Sequence, residues 1–270
     1  MAQTLTSGGQ QRSYLVHVPA DYQDAEHTPL ILAFHGAGES DAQIESYSNL
    51  STLDAIVLYP EGTTGTNGDA SWEGAPYSSG ADDVRFTQDL LDRTQAQFCV
   101  APDRVYATGK SNGGGFTALL ACQLPRRIAA FAPVAGAYYP QTMRGCRHSP
   151  PVPMLEFHGT DDPVIHYDGG TSHGENYPSI PRWLNTWIKK DRCAAHSRHA
   201  IGSDVVKFDW SRCARGTEVT HYRIIGGGHT WPGAVKPSGP GATTRTISAT
   251  AIMWEFFIHH PLNRSTRRGW

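Results

Sequence analysis

Thr108-Gly109-Lys110-Ser111-Asn112-Gly113-Gly114-Gly115-Phe116 decides the reading of this chain. Just before it, Arg104-Val105-Tyr106-Ala107 has the β-branched and aromatic composition of a strand. Just after it, Phe116, Leu119 and Leu120 recur at helical spacing, which predicts a helix over 114–124. A serine set between glycines, with a strand before it and a helix after it, fits the G-x-S-x-G pattern of a nucleophile elbow. The sharp turn lifts the serine hydroxyl clear of the backbone. The glycines permit the turn and let the helix pack closely. The N–H groups that follow point out of a helix N-terminus, where they can stabilise an oxyanion.

Working outward, the run Pro29-Leu30-Ile31-Leu32-Ala33-Phe34 is continuously apolar, as a strand covered on both faces should be. It ends at His35-Gly36-Ala37-Gly38. The segment 13–19 alternates and reads as an earlier strand, 40–53 as a helix capped by Ser40 or Asp41, and 55–60 as another buried strand. A Gly-, Thr- and Ser-rich loop covers 61–80, long enough to suggest a functional role. A helix is predicted over 82–98, with Asp82 and Asp83 read as capping residues. Downstream, 128–134 and 152–157 read as strands separated by a loop. Ile180, Trp183, Leu184, Trp187 and Ile188 mark an amphipathic helix. Late strands over 205–210 and 218–225 precede the loop 226–233, and a last helix carries Ile247, Ala251, Trp254 and Ile258. Buried strands alternating with helices predict an α/β fold, a mostly parallel sheet with helices on both faces. With no repeat or linker, residues 1–270 are expected to form a single catalytic domain.

Composition narrows the function. The 270 residues can bury a sizeable core although only 39% are hydrophobic. A net charge of −2 gives no footprint for nucleic acid or an anionic membrane, and no apolar run approaches the ~20 residues of a membrane span. Met1-Ala2-Gln3-Thr4 has neither the basic nor the apolar region of a signal peptide. None of the five cysteines forms a C-x-x-C pair, so zinc is not expected. No other metal and no cofactor is expected for this chain. Few lysines, many Trp, Tyr, Gly and Pro, and scattered cysteines suit a secreted enzyme with disulfides. Asn49-Leu50-Ser51 and Asn263-Arg264-Ser265 match the N-glycosylation pattern.

A serine hydroxyl is a poor nucleophile until a base takes its proton, and the base is best a histidine oriented by a carboxylate. In an α/β-hydrolase these follow in the order Ser, acid, His, each in a loop after a strand. Ser111 takes the first place. Asp161 and Asp162 both follow a buried strand and are candidates for the second. Among 13 histidines, His229 follows a glycine run after a late strand and precedes the final helix, so it is expected to be the base. His35 and His158 end apolar strands before glycine and are expected to hydrogen-bond loop backbone. His166, His173, His196, His199, His221, His259 and His260 are read as solvated surface. An oxyanion hole needs two backbone donors: Asn112, following the nucleophile, and Ala37, with Gly36 and Gly38 as alternatives.

Three stretches carry a specific resemblance: Gly109 to Phe116; Phe157-His158-Gly159-Thr160-Asp161-Asp162-Pro163-Val164; and Gly227-Gly228-His229-Thr230-Trp231-Pro232-Gly233. They resemble fungal-type feruloyl esterases, in the carbohydrate esterase family 1 and polyhydroxybutyrate depolymerase-like group. The opening Ser-Tyr-Leu-Val-His-Val-Pro and the segment from Cys99 to Arg104 are similar too, so the resemblance spans almost the whole chain. The family pattern H-G-x-x-D implies that the acid is Asp162. The resemblance further implies a secreted serine esterase acting on feruloylated polysaccharide or small hydroxycinnamate esters. The same scaffold also fits a polyester depolymerase, an acetylxylan esterase, or a carbohydrate-binding hydrolase that has lost its activity.

A planar hydroxycinnamoyl ring gains from aromatic neighbours, about 0.5–1.5 kcal/mol beyond its area. Trp231 follows His229 by two residues, Tyr138 and Tyr139 follow the strand after the elbow, and Trp72 lies in the long Gly-rich loop. These four are expected at the substrate. For the cysteines, a strand back from the elbow and a helix forward each cover about 17 Å, which returns Cys122 to the level of Cys99. Cys99–Cys122 is therefore one pairing and Cys122–Cys146 the alternative; Cys193 and Cys213 flank one loop-strand segment and are expected to pair.

Overall fold

A computed structural model describes residues 1–262. Ten strands form one sheet: β1 (Ala2–Ser7), β2 (Gln10–His17), β3 (Thr28–Phe34), β4 (Ile56–Pro60), β5 (Val100–Lys110), β6 (Ala130–Val134), β7 (Met154–Gly159), β8 (Ala195–Ile201), β9 (Val205–Ser211) and β10 (Val219–Ile224). The helices are α1 (Asp41–Ser48), α2 (Asp83–Gln97), α3 (Asn112–Gln123), α4 (Ile180–Lys190) and α5 (Ala249–His259). Across the sheet the strands lie in the order β1-β2-β4-β3-β5-β6-β7-β10-β9-β8. The six from β4 to β10 run parallel, and the pairs on both flanks are antiparallel additions.

From β3 the chain moves outward to β4. It then crosses back to β5 and advances the other way through β6 and β7 to β10. The winding therefore reverses between β3 and β5. Loops leaving the carboxyl ends of two such strands diverge and open a crevice. Ser111 is the first residue beyond β5, and His35-Gly36-Ala37 follow β3 into the same crevice.

The period of two in β3 builds both halves of the core. Leu30, Leu32 and Phe34 pack with Phe86 and Leu90 of α2, Phe116 and Leu120 of α3, and Trp183 and Trp187 of α4. Ile31 and Ala33 point to the other face, with Ile44 and Tyr47 of α1 and Met253 and Phe257 of α5. Each fully buried Leu, Ile or Phe contributes about 1.5–3 kcal/mol, so the strands that carry the crevice are the most firmly anchored.

Helix starts follow local chemistry. Ser40, not Asp41, caps α1: its Oγ accepts from Gln43 N at 3.3 Å, and the Gln43 side chain accepts from Ser40 N at 2.9 Å. Asp82 caps α2 through Arg85 N at 2.8 Å. Asp83 lies in the first turn, where a carboxylate complements the helix dipole as expected, but it caps nothing. It is buried, paired with Arg12 at 2.8 Å, and accepts Glu73 N–H at 2.8 Å. Two strands of this sheet had no sequence signal: β1, and the polar β8, which is exposed along its middle and exists by pairing with β9.

Disulfides join Cys122 to Cys146 and Cys193 to Cys213. The Cys99–Cys122 pairing is not formed. The segment after β6 folds back along α3 through two short 3-10 turns, Pro140–Met143 and Cys146–His148, and brings Cys146 to a Cα–Cα distance of 4.4 Å from Cys122. Cys99 stays a free thiol, its Sγ 3.6 Å from His27 Nδ1. Asn49 of the first sequon is exposed; Asn263-Arg264-Ser265 lies outside the described residues. No described helix is long and apolar enough to cross a membrane.

Candidate active site

Ser111 sits at φ 56°, ψ −119°, a region that a side chain with a Cβ rarely adopts. Backbone bonds on both sides hold it there. Its N–H donates to Val134 O at 2.9 Å, and its carbonyl accepts Gly115 N at 3.0 Å and Ala137 N at 2.9 Å. Two glycines are required by contact. A Cβ on Gly113 would lie 2.2 Å from Phe34 O, and one on Gly109 would lie 2.4 Å from Gly113 O. Helix α3 therefore starts directly against the end of β3.

His229 and Asp162 come together although 67 residues separate them, with Nδ1 2.7 Å from Oδ2. Both are almost fully buried. Asp162 Oδ1 accepts the N–H groups of Val164 and Ile165, each at 2.8 Å, which fixes the carboxylate. Asp161 faces away: its N–H donates to Gly227 O at 3.0 Å, and its Oδ1 accepts the Thr160 hydroxyl at 3.0 Å. Burial opposes ionisation of Asp162, but hydrogen bonds from His158 and His229 outweigh it and hold the carboxyl below its usual range. Burial pushes His229 below its ordinary value, against the pull of Asp162, and the Lys110 ammonium and His158 act in the same direction as burial.

A cavity of about 260 Å³ has Ser111, His229, Ala37, Tyr77, Tyr139 and His173 among its walls. In the loop after β3, Gly36 N–H is taken by Glu39 Oε2 at 3.0 Å and Gly38 N–H by Ala70 O at 2.9 Å. Ala37 N–H has no acceptor among the described residues. Asn112 N–H lies in the first turn of α3, where the helix supplies no acceptor. His35 braces this loop from below: its Nδ1 binds Gly36 O at 2.7 Å and its Nε2 accepts Gly62 N at 2.9 Å.

Sequence reasoning missed Lys110, Glu39 and Glu156. Lys110 is buried next to Ser111, and its ammonium bonds both Glu39 and Ser238 O. It thus ties the loop carrying Ala37 to the segment that closes over His229. A lysine inside an otherwise buried strand end, and a glutamate inside the apolar run 152–157, were the signals available for two of them.

Three of the four aromatic residues expected at the substrate lie elsewhere. Trp72 is buried, stacked on Phe116 with centroids 5.4 Å apart, and its Nε1 donates to His35 O at 3.0 Å. Its backbone N–H and carbonyl are both held by the Asn112 amide, at 2.7 and 3.3 Å. Trp231 packs against Tyr47 and donates to Thr250 Oγ1 at 3.0 Å, anchoring the His229 loop. Tyr138 stacks on Trp183 with centroids 3.7 Å apart. Tyr139 does line the cavity, beside Tyr77, which the sequence did not single out. Among the histidines read as surface, His221 is buried with its Nδ1 2.6 Å from Glu156 Oε2, and His173 lines the cavity.

Residues 12–188 match the family model described as Esterase PHB depolymerase. The chain belongs to this family. The match includes Ser111 and Asp162 but ends before His229. Feruloyl esterase B of Piromyces equi is 31% identical over 229 residues, 81% of this chain but 42% of that protein. The chain thus spans less than half the length of that relative. A probable feruloyl esterase C of Aspergillus terreus is 27% identical over 267 residues, covering 94% of this chain and 87% of that one. Among solved structures, the acetyl xylan esterase from Aspergillus awamori superposes with a TM-score of 0.62 at 14% identity, over 95% of this chain and 98% of that chain. That likeness shows the fold, which is that of the α/β-hydrolase esterases.

Proposed function

We propose that this member of the family is a secreted serine esterase that releases ferulic and related hydroxycinnamic acids from plant cell-wall arabinoxylan, working as a single domain. The observation that carries the reading is the 2.7 Å bond from His229 Nδ1 to Asp162 Oδ2, beside a cavity that Ser111 and His229 share. With Nδ1–H given to the carboxylate, His229 keeps its lone pair at Nε2. That nitrogen takes the proton as Ser111 Oγ attacks the ester carbonyl, and returns it to the leaving sugar oxygen. The oxyanion accepts N–H bonds from Asn112 and Ala37. Water then hydrolyses the feruloyl-serine ester by the same route. Tyr139 and Tyr77 would flank the aromatic acyl group. The names of the curated relatives support the substrate class, and the two disulfides suit an oxidising, extracellular setting.

A second reading, acetylxylan esterase, is favoured by the small cavity, which falls below the ~300 Å³ at which ligand pockets usually start. A relative named bifunctional acetylxylan esterase/xylanase, 26% identical over 225 residues, is compatible with it. One panel separates the readings: methyl ferulate, methyl p-coumarate, p-nitrophenyl acetate and hydroxybutyrate oligomers. Both methyl hydroxycinnamates should be hydrolysed and the oligomers left intact. Turnover of acetate or oligomer with none of methyl ferulate overturns the feruloyl assignment.

A further inference from the structure

Behind Asp162 lies a second buried histidine. His158, in β7, places Nε2 2.8 Å from Ile165 O and 3.3 Å from Asp162 Oδ2, and Nδ1 3.0 Å from Glu156 Oε1. Every one of these partners is an acceptor. A neutral imidazole has one N–H and one lone pair, so a neutral ring would set its lone pair against an oxygen on one side. An imidazolium donates on both. A proton on Glu156 Oε1 would supply the missing donor, but the Tyr138 hydroxyl is placed to donate to that same oxygen, which favours the ionised carboxylate. Tyr138 OH is 3.3 Å from its Oε1, and His221 Nδ1 is 2.6 Å from its Oε2. The His221 approach is poorly aligned for a hydrogen bond, so it leaves Oε2 without a donor.

We propose that His158 is a permanently charged imidazolium and a positioning residue: Glu156 holds it in that state, and it keeps Asp162 ionised and His229 weakly basic. This rests on the reading of Ser111, Asp162 and His229 given above. Asp162 Oδ2 is shared, 2.7 Å from His229 and 3.3 Å from His158. A carboxylate balanced from behind draws less strongly on the proton of the base. His229 then stays neutral, and able to accept the serine proton, into mildly acidic solution. The titration trends agree. Burial opposes charge on His158, yet bonds to Asp162 and Glu156 raise it to about 10. Burial opposes ionisation of Glu156, yet His221 and His158 lower it. The other groups facing the cluster are Tyr138, Tyr167 with its hydroxyl 3.0 Å from His221 Nε2, Arg223 acting on Tyr167, and Lys110 acting on His229.

Two measurements test the proposal. ¹⁵N NMR of the full chain, with His158 assigned by comparison with His158→Gln, should show both ring nitrogens protonated from pH 5 to pH 8; in Glu156→Gln the second proton should leave at lower pH. An unprotonated His158 nitrogen at pH 8 in the wild type overturns the proposal. In the pH profile of kcat/KM for p-nitrophenyl acetate, His158→Gln should move the acid limb upward by about one pH unit, the size of a typical single-charge effect on a neighbouring group. A fall in kcat at every pH with the limb unmoved overturns the charge role and leaves His158 a packing residue. If His158→Gln does not fold, the ring nitrogens are assigned by through-bond correlation to the His158 backbone in the wild type, and that spectrum decides. Ser111→Ala, assayed alongside, tests the active-site reading separately: activity retained there sinks that reading, while the protonation state of His158 is read independently of turnover.

Discussion

Asp161 and Asp162 are adjacent and chemically alike, yet their environments differ. Asp162 is buried, accepts two backbone N–H groups and binds His229; Asp161 is exposed and bonds its own loop. Asp162→Asn should lower kcat by about four orders of magnitude, because an amide cannot hold the imidazole in the same tautomer. Asp161→Asn should stay within a few-fold of wild type. Steady-state kinetics on any hydrolysed ester checks the pair, and the reverse order of damage would exchange their roles. At this scale the geometry was legible where residue type and spacing combine, as in the turn that presents Ser111 and the placing of Asp162 beside His229. It was not legible where a role depends on what a buried group meets. Nothing in the sequence distinguishes His221, at Glu156, from a surface histidine. Only the register of β10 against β7 brings the two together.

Among the elements, the elbow was the most legible, since strand, glycines and helix must agree for Ser111 to be presented at all. Aromatic placement was the least legible. Sequence position brought Trp72, Tyr138 and Trp231 to the correct edge of the sheet, but side-chain direction turned all three inward. The wall that remains is a cluster of Tyr77, Tyr139, Tyr177 and Ile165, contributed by the loop after β4, the segment after β6 and the chain between β7 and α4. Tyr139 and Tyr77 meet edge-on with centroids 6.3 Å apart. Tyr139→Ala should raise KM for methyl ferulate by about ten-fold, on the order of one aromatic contact plus lost burial, and leave p-nitrophenyl acetate nearly unchanged. An unaltered ratio of kcat/KM between the two esters would remove Tyr139 from the acyl site and strengthen the acetyl reading.

For the whole molecule, alternation of buried strands and helices was enough to expect a parallel sheet covered on both faces. The polar flanks β1 and β8 were not: β1 turns Gln3, Leu5 and Ser7 inward, of which only Leu5 is apolar, and β8 is exposed along its middle, so neither carries a hydrophobic period. The cysteine pattern divides the same way. Cys193–Cys213 followed from local chain geometry, whereas the partner of Cys122 depended on how an irregular segment folds back along α3. Replacing Cys193 and Cys213 together by serine opens a crosslink that spans 20 residues of sequence. The loss should be about 3 kcal/mol, read as a lower urea midpoint with the slope little changed. A midpoint equal to wild type would show that the loop is held by packing alone.

The central claim is that one serine forms the acyl-enzyme. Its most direct measurement is covalent labelling of the active protein with a fluorophosphonate, followed by peptide mapping. The account predicts one label per chain, on the peptide that carries Ser111, with loss of esterase activity in step with labelling and no labelling in Ser111→Ala. Inactivation with the label on another residue, or full ester turnover after Ser111 is quantitatively modified, would contradict it.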